Sequence, residues 1–303
     1  MNRGIVESRE LQVYQSLLGR KNFSPNEKIA HYNAQQGYEG EVNFFKMIES
    51  QLHADYLALY GLLLENQGSL SQIDCLIIFP NQMIMFEVKN FRGEFEFHDN
   101  RLYSLTHEKH YQNPLHQLHR TETNLRDLLS RLKINIPLHS HLVFINEEFT
   151  LYTEKMPTLI LPTQLKSFIQ KLNQIQGRLS AQHHALAEKL IHLHKKESPF
   201  MRLPSFEYAE LRKGVLCYRC RRLLELMGKS RFYCNHCSYE ESTDSGIIRN
   251  VIEFHTLFPD KKIKTRKIAE WSAQNLSKKT YQRILSTYLH QHKLYRNTYY
   301  RFK

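Results

Sequence analysis

No apolar stretch in this 303-residue chain approaches the roughly 18 residues that a membrane span requires. The opening residues, Met1 to Glu7, lack the apolar core of a signal peptide, so a cytoplasmic location is expected. A glycine-rich phosphate loop is missing, which removes the main support for a nucleotide-dependent small-molecule enzyme. No internal repeat and no low-complexity tract interrupts the chain. Cysteine is scarce, five residues in all, and four of them fall between 217 and 237. Acidic residues are depleted only in the last third. Residues 1–200 hold 21 Lys and Arg against 21 Asp and Glu, whereas residues 201–303 hold 21 against 9, so the whole net charge of +12 sits there. A basic field confined to one segment suits a polyanion partner, because neutralised phosphates release condensed counterions.

What remains is ordinary globular composition, 41% apolar and 24% charged, enough to bury a core in two or three domains. Helical spacing predicts a helix over 7–19, a break at Phe23-Ser24-Pro25-Asn26 and a second helical segment from Glu27. Gly37-Tyr38-Glu39-Gly40-Glu41 reads as the opening of a further helix through Leu52, with Val42, Phe45, Ile48 and Leu52 on its buried face. A strand is expected from Tyr56 to Leu64, then a hairpin at 72–79 and 82–90 turning at Pro80-Asn81-Gln82. Short strands follow at 94–97 and 102–105, a helix from Asn113-Pro114, strands at 141–146 and 158–161, and helices at 163–175 and 179–195. The run from Lys195 to Pro199 reads as a linker. The order of elements gives an α/β fold, a mixed sheet flanked by helices.

The hairpin carries the chemistry. Asp74 ends Ser71-Gln72-Ile73-Asp74, and Glu87-Val88-Lys89 closes the facing apolar run. Alternation puts Glu87 and Lys89 on one face and Val88 on the other. Charges beside a buried sheet are costly unless paired or bound to metal. Two carboxylates next to a lysine suit a divalent cation and phosphodiester chemistry. Each residue also has a plainer reading. Glu87 and Lys89 make an ion pair, of little worth if exposed; Asp74 caps a turn; Glu41 favours a helix start through the dipole; Gln117 is solvated.

The pieces Gly37-x-x-Gly40-Glu41, Gln72-Ile73-Asp74, Glu87-Val88-Lys89-Asn90 with Gly93, and Asn113-Pro114-x-x-Gln117 run over residues 37–146. Together they resemble the NERD (nuclease-related) domain, a branch of the PD-(D/E)xK nuclease superfamily. The resemblance implies a restriction-endonuclease-like core of α-β-β-β-α-β order and a metal-dependent nuclease acting on nucleic acid, with DNA the expected substrate. It implies that Asp74, Glu87 and the Val88 carbonyl hold Mg²⁺ or Mn²⁺ and that Lys89 orients or deprotonates the attacking water. Glu41 would serve as an outer ligand or orient metal-bound water, and Gln117 would hydrogen-bond the phosphate or the nucleophile. The alternative is a non-catalytic DNA-binding or regulatory protein on the same scaffold.

Cys217-x-x-Cys220 and Cys234-x-x-Cys237, thirteen residues apart, match a closed tetrahedral Zn²⁺ site of structural type. The pattern resembles a zinc ribbon; disulfides are disfavoured in a reducing cytoplasm. His236, inside the second knuckle, is not expected to be a ligand, and Cys75 reads as a core residue. Thr265 and Ser277 cap two short helices that resemble a helix-turn-helix, with a basic wing at 293–296 and 299–302. Lys267, Lys278, Lys279, Arg283 and Arg296 are the expected phosphate contacts. A three-helix packing module is the alternative. The pairs His183/His184, His192/His194 and His290/His292 read as helical neighbours that do not face each other, so no second metal site is expected there. The expected organisation is an N-terminal helical segment (1–36), a nuclease-like domain (37–150), a helical extension and linker (151–200), a zinc ribbon (210–240) and a basic helix-turn-helix-like domain (241–303).

Overall fold

Two helices open the chain. α1 (Arg9–Leu17) begins at Ser8, whose hydroxyl accepts the Leu11 N–H at 3.2 Å. α2 (Pro25–Gln51) is one helix of 27 residues. Its start is fixed by reciprocal capping: the Glu27 N–H donates to Ser24 Oγ at 3.3 Å, and the Ser24 N–H donates to Glu27 Oε2 at 2.9 Å. This corrects the expectation of a fresh helix at Gly37. Both glycines keep helical backbone, and Glu41 stands in mid-helix, where a helix-start role falls away. The buried face is Gly40, Phe44 and Ile48; Val42 and Phe45 are half-buried. The structure is a computed structural model that describes residues 4–302 apart from 99–100, 196, 198–200, 202 and 295–296. Lys196, Ser198 and Pro199 of the expected linker, and Arg296, lie outside the described residues.

By internal contacts the chain forms two compact units: Met1–Glu7 with Asn33–Met201, and Ser8–Tyr32 with Arg202–Lys303. The first is built on β1 (Leu57–Asn66), β2 (Ser69–Ile78) and β3 (Met83–Lys89), an antiparallel meander joined by tight turns. There follow β4 (Gly93–His98), β5 (Arg101–Ser104), β6 (Lys109–Tyr111), α3 (Pro114–Arg131), β7 (Leu138–Phe144), β8 (Phe149–Tyr152), β9 (Leu159–Ile160), α4 (Leu165–Leu172) and α5 (Ala181–Leu193). The main sheet has the order β1-β2-β3-β7-β9, with β7 parallel to β3 and β9 parallel to β7. A smaller sheet, β6-β5-β4-β8, includes two strands, β6 and β8, that sequence reading does not give. The mixed α/β architecture is the one expected. One face of the main sheet packs Leu76, Met85 and Leu142 against Leu118 and Leu125 of α3 and Leu190 of α5. The other packs Ile77, Phe86 and Val143 against Phe44 and Ile48 of α2 and Ile169 of α4.

The second unit contains a three-stranded antiparallel sheet of β10 (Glu225–Met227), β11 (Arg231–Tyr233) and β12 (Glu240–Ser242). Then come α6 (Thr243–Leu257), α7 (Thr265–Ser272), α8 (Lys278–Tyr288) and a hairpin, β13 (His290–Leu294) with β14 (Asn297–Arg301). Tyr300 also bridges back to Ile263. This hairpin overlaps the wing expected at 293–296 and 299–302, while His290 and His292 lie on a strand rather than a helix. No histidine joins a metal-type cluster among the described residues.

A single core runs through this unit. Val13 and Leu17 of α1, Leu224, Phe232 and Cys234 of the cysteine segment, and Phe254, Trp271 and Ile284 of the helices belong to one buried cluster. Beside it Arg20 is fully buried. It pairs with Glu253 at 2.5 Å, donates to the carbonyls of Arg212 and Gly214 at 2.9 and 3.3 Å, and lies 4.2 Å from the Trp271 ring centroid. Among the described residues, no helix is long and apolar enough to cross a membrane.

Candidate active site and zinc centre

Asp74 owes its place to a paired slip in two strands. Leu57 and Leu59 share one core cluster with Leu62 and Leu64, so the side-chain phase of β1 shifts by one residue in between. Ile73 joins the same cluster as Leu76 and Ile78, so β2 shifts too. Strand pairing runs Tyr60–Cys75 and Leu62–Ile73 and skips Gly61, which sits opposite Asp74 at φ 57°. That backbone region favours glycine, the residue without a Cβ. On β3, Met83 and Met85 face α3 while Phe86 and Val88 face α2, which turns Glu87 and Lys89 toward α3. The β2–β3 pairing ends at Cys75–Phe86, and Asp74 and Glu87 are the next residues along the two strands.

The polar contacts close around this point. Asp74 Oδ2 accepts the Val88 N–H at 2.8 Å. Lys89 Nζ donates to Glu87 Oε1 at 2.7 Å and to Gln117 Oε1, from the first turns of α3, at 3.0 Å. The Glu87 side chain is only 3% exposed, so this is not the exposed ion pair of the plainer reading. Asp74 lies inside β2 rather than capping a turn, and Gln117 is engaged rather than merely solvated. Glu41 approaches on α2, held close by Gly40: a Cβ there would lie 2.7 Å from Asn90 Cβ. Asn90 in turn donates to the Gln36 carbonyl at 2.9 Å and accepts from Asn146 at 3.1 Å, so the helix is tied to the end of β3.

The electrostatics are those of carboxylates short of positive charge. Burial pushes Asp74 well above the usual carboxylate range, and the charges of Glu87 and Glu41 push it further. Burial, then Glu87, raises Glu41 to about 7. Burial also raises Glu87, against the opposing pull of Lys89 and Arg120. Three carboxylates beside one ammonium leave an excess of buried negative charge that a divalent cation would neutralise, and the hard oxygens of Asp74 and Glu87 suit Mg²⁺ or Mn²⁺. The three do not gather into a chelating trio. Among the described residues, the only group of three or more His, Cys, Asp or Glu drawn to metal-binding distance is the cysteine cluster.

Beyond Lys89 and Gln117 the surface opens into a groove of about 810 Å³, lined also by Phe91, Arg101, Tyr111 and Arg120. Sequence reading did not single out these four. Arg120 alone had a signal, since it lies three residues after Gln117 on the same helix and so on the same face.

The four cysteines, Cys217, Cys220, Cys234 and Cys237, place their sulfurs within 4.8 Å of one another and form no disulfide. Pairs stand 3.5 Å apart for Cys217–Cys237 and 3.4 Å for Cys220–Cys234. Bonds of about 2.3 Å to a tetrahedral zinc imply sulfur separations of about 3.8 Å, close to these. The two knuckles fold alike. The Arg221 and Ser238 N–H groups donate to the Cys217 and Cys234 carbonyls, and both residues hold positive φ, 58° and 55°. His236 is not part of the cluster. The chemistry of four thiolates fits zinc and leaves no position for substrate.

Of the expected phosphate contacts, Lys278 and Lys279 are exposed at the start of α8. Arg283 is engaged by Asp244 through bonds of 2.6 and 2.8 Å, and Lys267 pairs with Glu270 at 3.2 Å and lies 4.1 Å from the Tyr208 ring centroid.

Neither curated proteins nor solved structures give a match to the chain. Residues 36–145 match the family model described as NERD, nuclease-related domain, a span that holds Glu41, Asp74, Glu87, Lys89 and Gln117. The first unit of this chain thus contains a nuclease-related domain of the NERD family.

Proposed function

We propose that the protein is a metal-dependent nuclease that hydrolyses phosphodiester bonds in DNA. The observation that carries this reading is the charge imbalance around Lys89, which lines the groove: Asp74, Glu87 and Glu41 share this one ammonium. Asp74, Glu87 and the Val88 carbonyl hold the cation, and Glu41 stands beside them as a neighbour that orients water. When bound, Mg²⁺ or Mn²⁺ supplies a more acidic water and neutralises charge on the phosphate. Lys89 faces the phosphate and stabilises the charge that builds on it. Gln117 holds the lysine in place through its 3.0 Å bond.

The second unit grips the substrate. In this reading the three helices, the hairpin and the Ile263–Tyr300 bridge serve as a winged helix-turn-helix, a role supported by Lys278 and Lys279, which are exposed at the start of α8 where they can meet phosphates. Zn²⁺ on the four cysteines is structural.

The test is cleavage of labelled single-stranded, double-stranded and branched DNA, and of RNA, with Mg²⁺ or Mn²⁺. Glu87→Gln should abolish metal-dependent products while leaving the fold intact by circular dichroism. Products that persist in Glu87→Gln, or that never form in the parent protein, would overturn the assignment.

A further inference from the structure

The groove beside Lys89 pairs two chemistries that seldom share a surface by accident. Arg101, at the start of β5, and Arg120, on α3, are exposed, and neither is held in a hydrogen bond or ion pair among the described residues. The charge of Arg120 nevertheless reaches Glu87, so the cationic wall begins at the carboxylates themselves. Lys109, 5.4 Å from the Tyr111 centroid, adds a further cation. The floor is aromatic. Phe91 and Tyr111 are half-buried with ring centroids 5.4 Å apart, and both rest on Phe95, at 5.4 and 5.9 Å. Phe95 is itself buried, so the two rings are seated rather than loose.

Guanidinium groups take phosphates and fixed aromatic faces take unpaired bases, which is the combination that binds single strands without strong sequence preference. A continuous duplex keeps its base faces stacked inside and offers this floor nothing. A volume of about 810 Å³ is in the range of small-ligand clefts, which run from about 300 to 1,000 Å³. It is a space for part of one strand, not for a double helix.

We propose that this groove binds a short single-stranded segment of nucleic acid on one side of the scissile phosphate, with Arg101 and Arg120 on its phosphates and Phe91 and Tyr111 under a base. The proposal deepens the nuclease reading and rests on it for the position of the scissile bond. It names the substrate class: single strands, flaps and frayed ends rather than continuous duplex.

Photocrosslinking of the full chain to a 5-iodouracil-substituted single strand, without added Mg²⁺ or Mn²⁺, tests the contact directly. Adducts should map by mass spectrometry to peptides containing Phe91 or Tyr111. Their yield should fall about tenfold in Arg101→Ala/Arg120→Ala, and about as far with a duplex of the same sequence. Both arginines are exposed, so the double variant should melt with the parent. Adducts confined to residues 202–303, no adduct at all, or equal yield from duplex would each overturn the proposal. Cleavage is scored separately. DNA cut by metal without groove adducts sinks the groove alone, and groove adducts without metal-dependent cleavage sink the hydrolytic reading alone.

Discussion

Glu87 has little freedom, with a 3% exposed side chain, a lysine at 2.7 Å and Asp74 on the next strand. Removing its partner leaves a buried charge uncompensated, which costs about 3–5 kcal/mol in a fully buried pair. Lys89 is 22% exposed, so Lys89→Ala should cost toward the lower end of that range. Adding Glu87→Gln removes the stranded charge, and the double variant should recover most of the lost stability while recovering no cleavage. Urea unfolding of the two variants checks this, and equal stabilities would show that the pair is not electrostatically coupled. Glu41 offers a second test, by pH. Its folded pKa, about 7, lies above the unfolded value of about 4.3, so folding favours its protonated form. The stability that this contributes is complete at low pH and is lost as pH rises through about 7. Metal-free protein should therefore melt at progressively lower temperature between about pH 5 and pH 8, and Glu41→Gln should flatten the slope. A slope unchanged in Glu41→Gln would mean that the residue is better solvated than its burial indicates.

The hairpin β2–β3 was legible in the sequence because continuous apolar runs, 75–79 and 83–86, flank Pro80-Asn81-Gln82, and its strand ends fall within a few residues of expectation. The helix α2 was not. Gly37 and Gly40 read as part of a new helix's opening, yet only one of them has a reason in packing, and it is a tertiary one. A Cβ on Gly40 would meet Asn90 at 2.7 Å, whereas nothing lies within 4 Å of one on Gly37. Sequence carries no mark of that difference. The slip at Gly61 and Asp74 was hidden for a related reason: one residue out of phase looks like noise until the partner strand is seen to slip at the same rung. The two glycines should part under mutation. Gly37→Ala should stabilise by up to about 1 kcal/mol through helix propensity. Gly40→Val should cost about 1–3 kcal/mol through overpacking and displace Glu41 from Glu87, lowering cleavage further than the stability loss explains. Melting temperatures of the pair settle it: like signs for both would remove the close approach as the reason for Gly40.

Composition places all the excess positive charge after residue 200, which invites the view that the tail is a separable module. The second unit contradicts that view, because Ser8–Tyr32 belongs to it. Leu11, Val13 and Leu17 of α1 are at most 1% exposed, and Val13 and Leu17 join the core that holds Phe232, Phe254 and Trp271. Each such side chain contributes about 1.5–3 kcal/mol by burial. Arg20 adds an ion pair with Glu253 whose loss would strand a second buried charge, although Arg221 at 3.0 Å would still serve that carboxylate. Typical domains hold only about 5–15 kcal/mol in reserve, so the loss of α1 and Arg20 is comparable to the whole. A fragment of residues 202–303, zinc-loaded, should therefore lack cooperative unfolding despite containing the cysteine centre, the three helices and the hairpin. Fusing residues 8–32 to it through a flexible linker should restore a sharp transition. Trp271 is the only tryptophan and lies 4.2 Å from the Arg20 guanidinium, so its fluorescence reports the docking without a label. Cooperative melting of the bare fragment, with the same Trp271 spectrum as the full chain, would show that the first helix merely decorates this core.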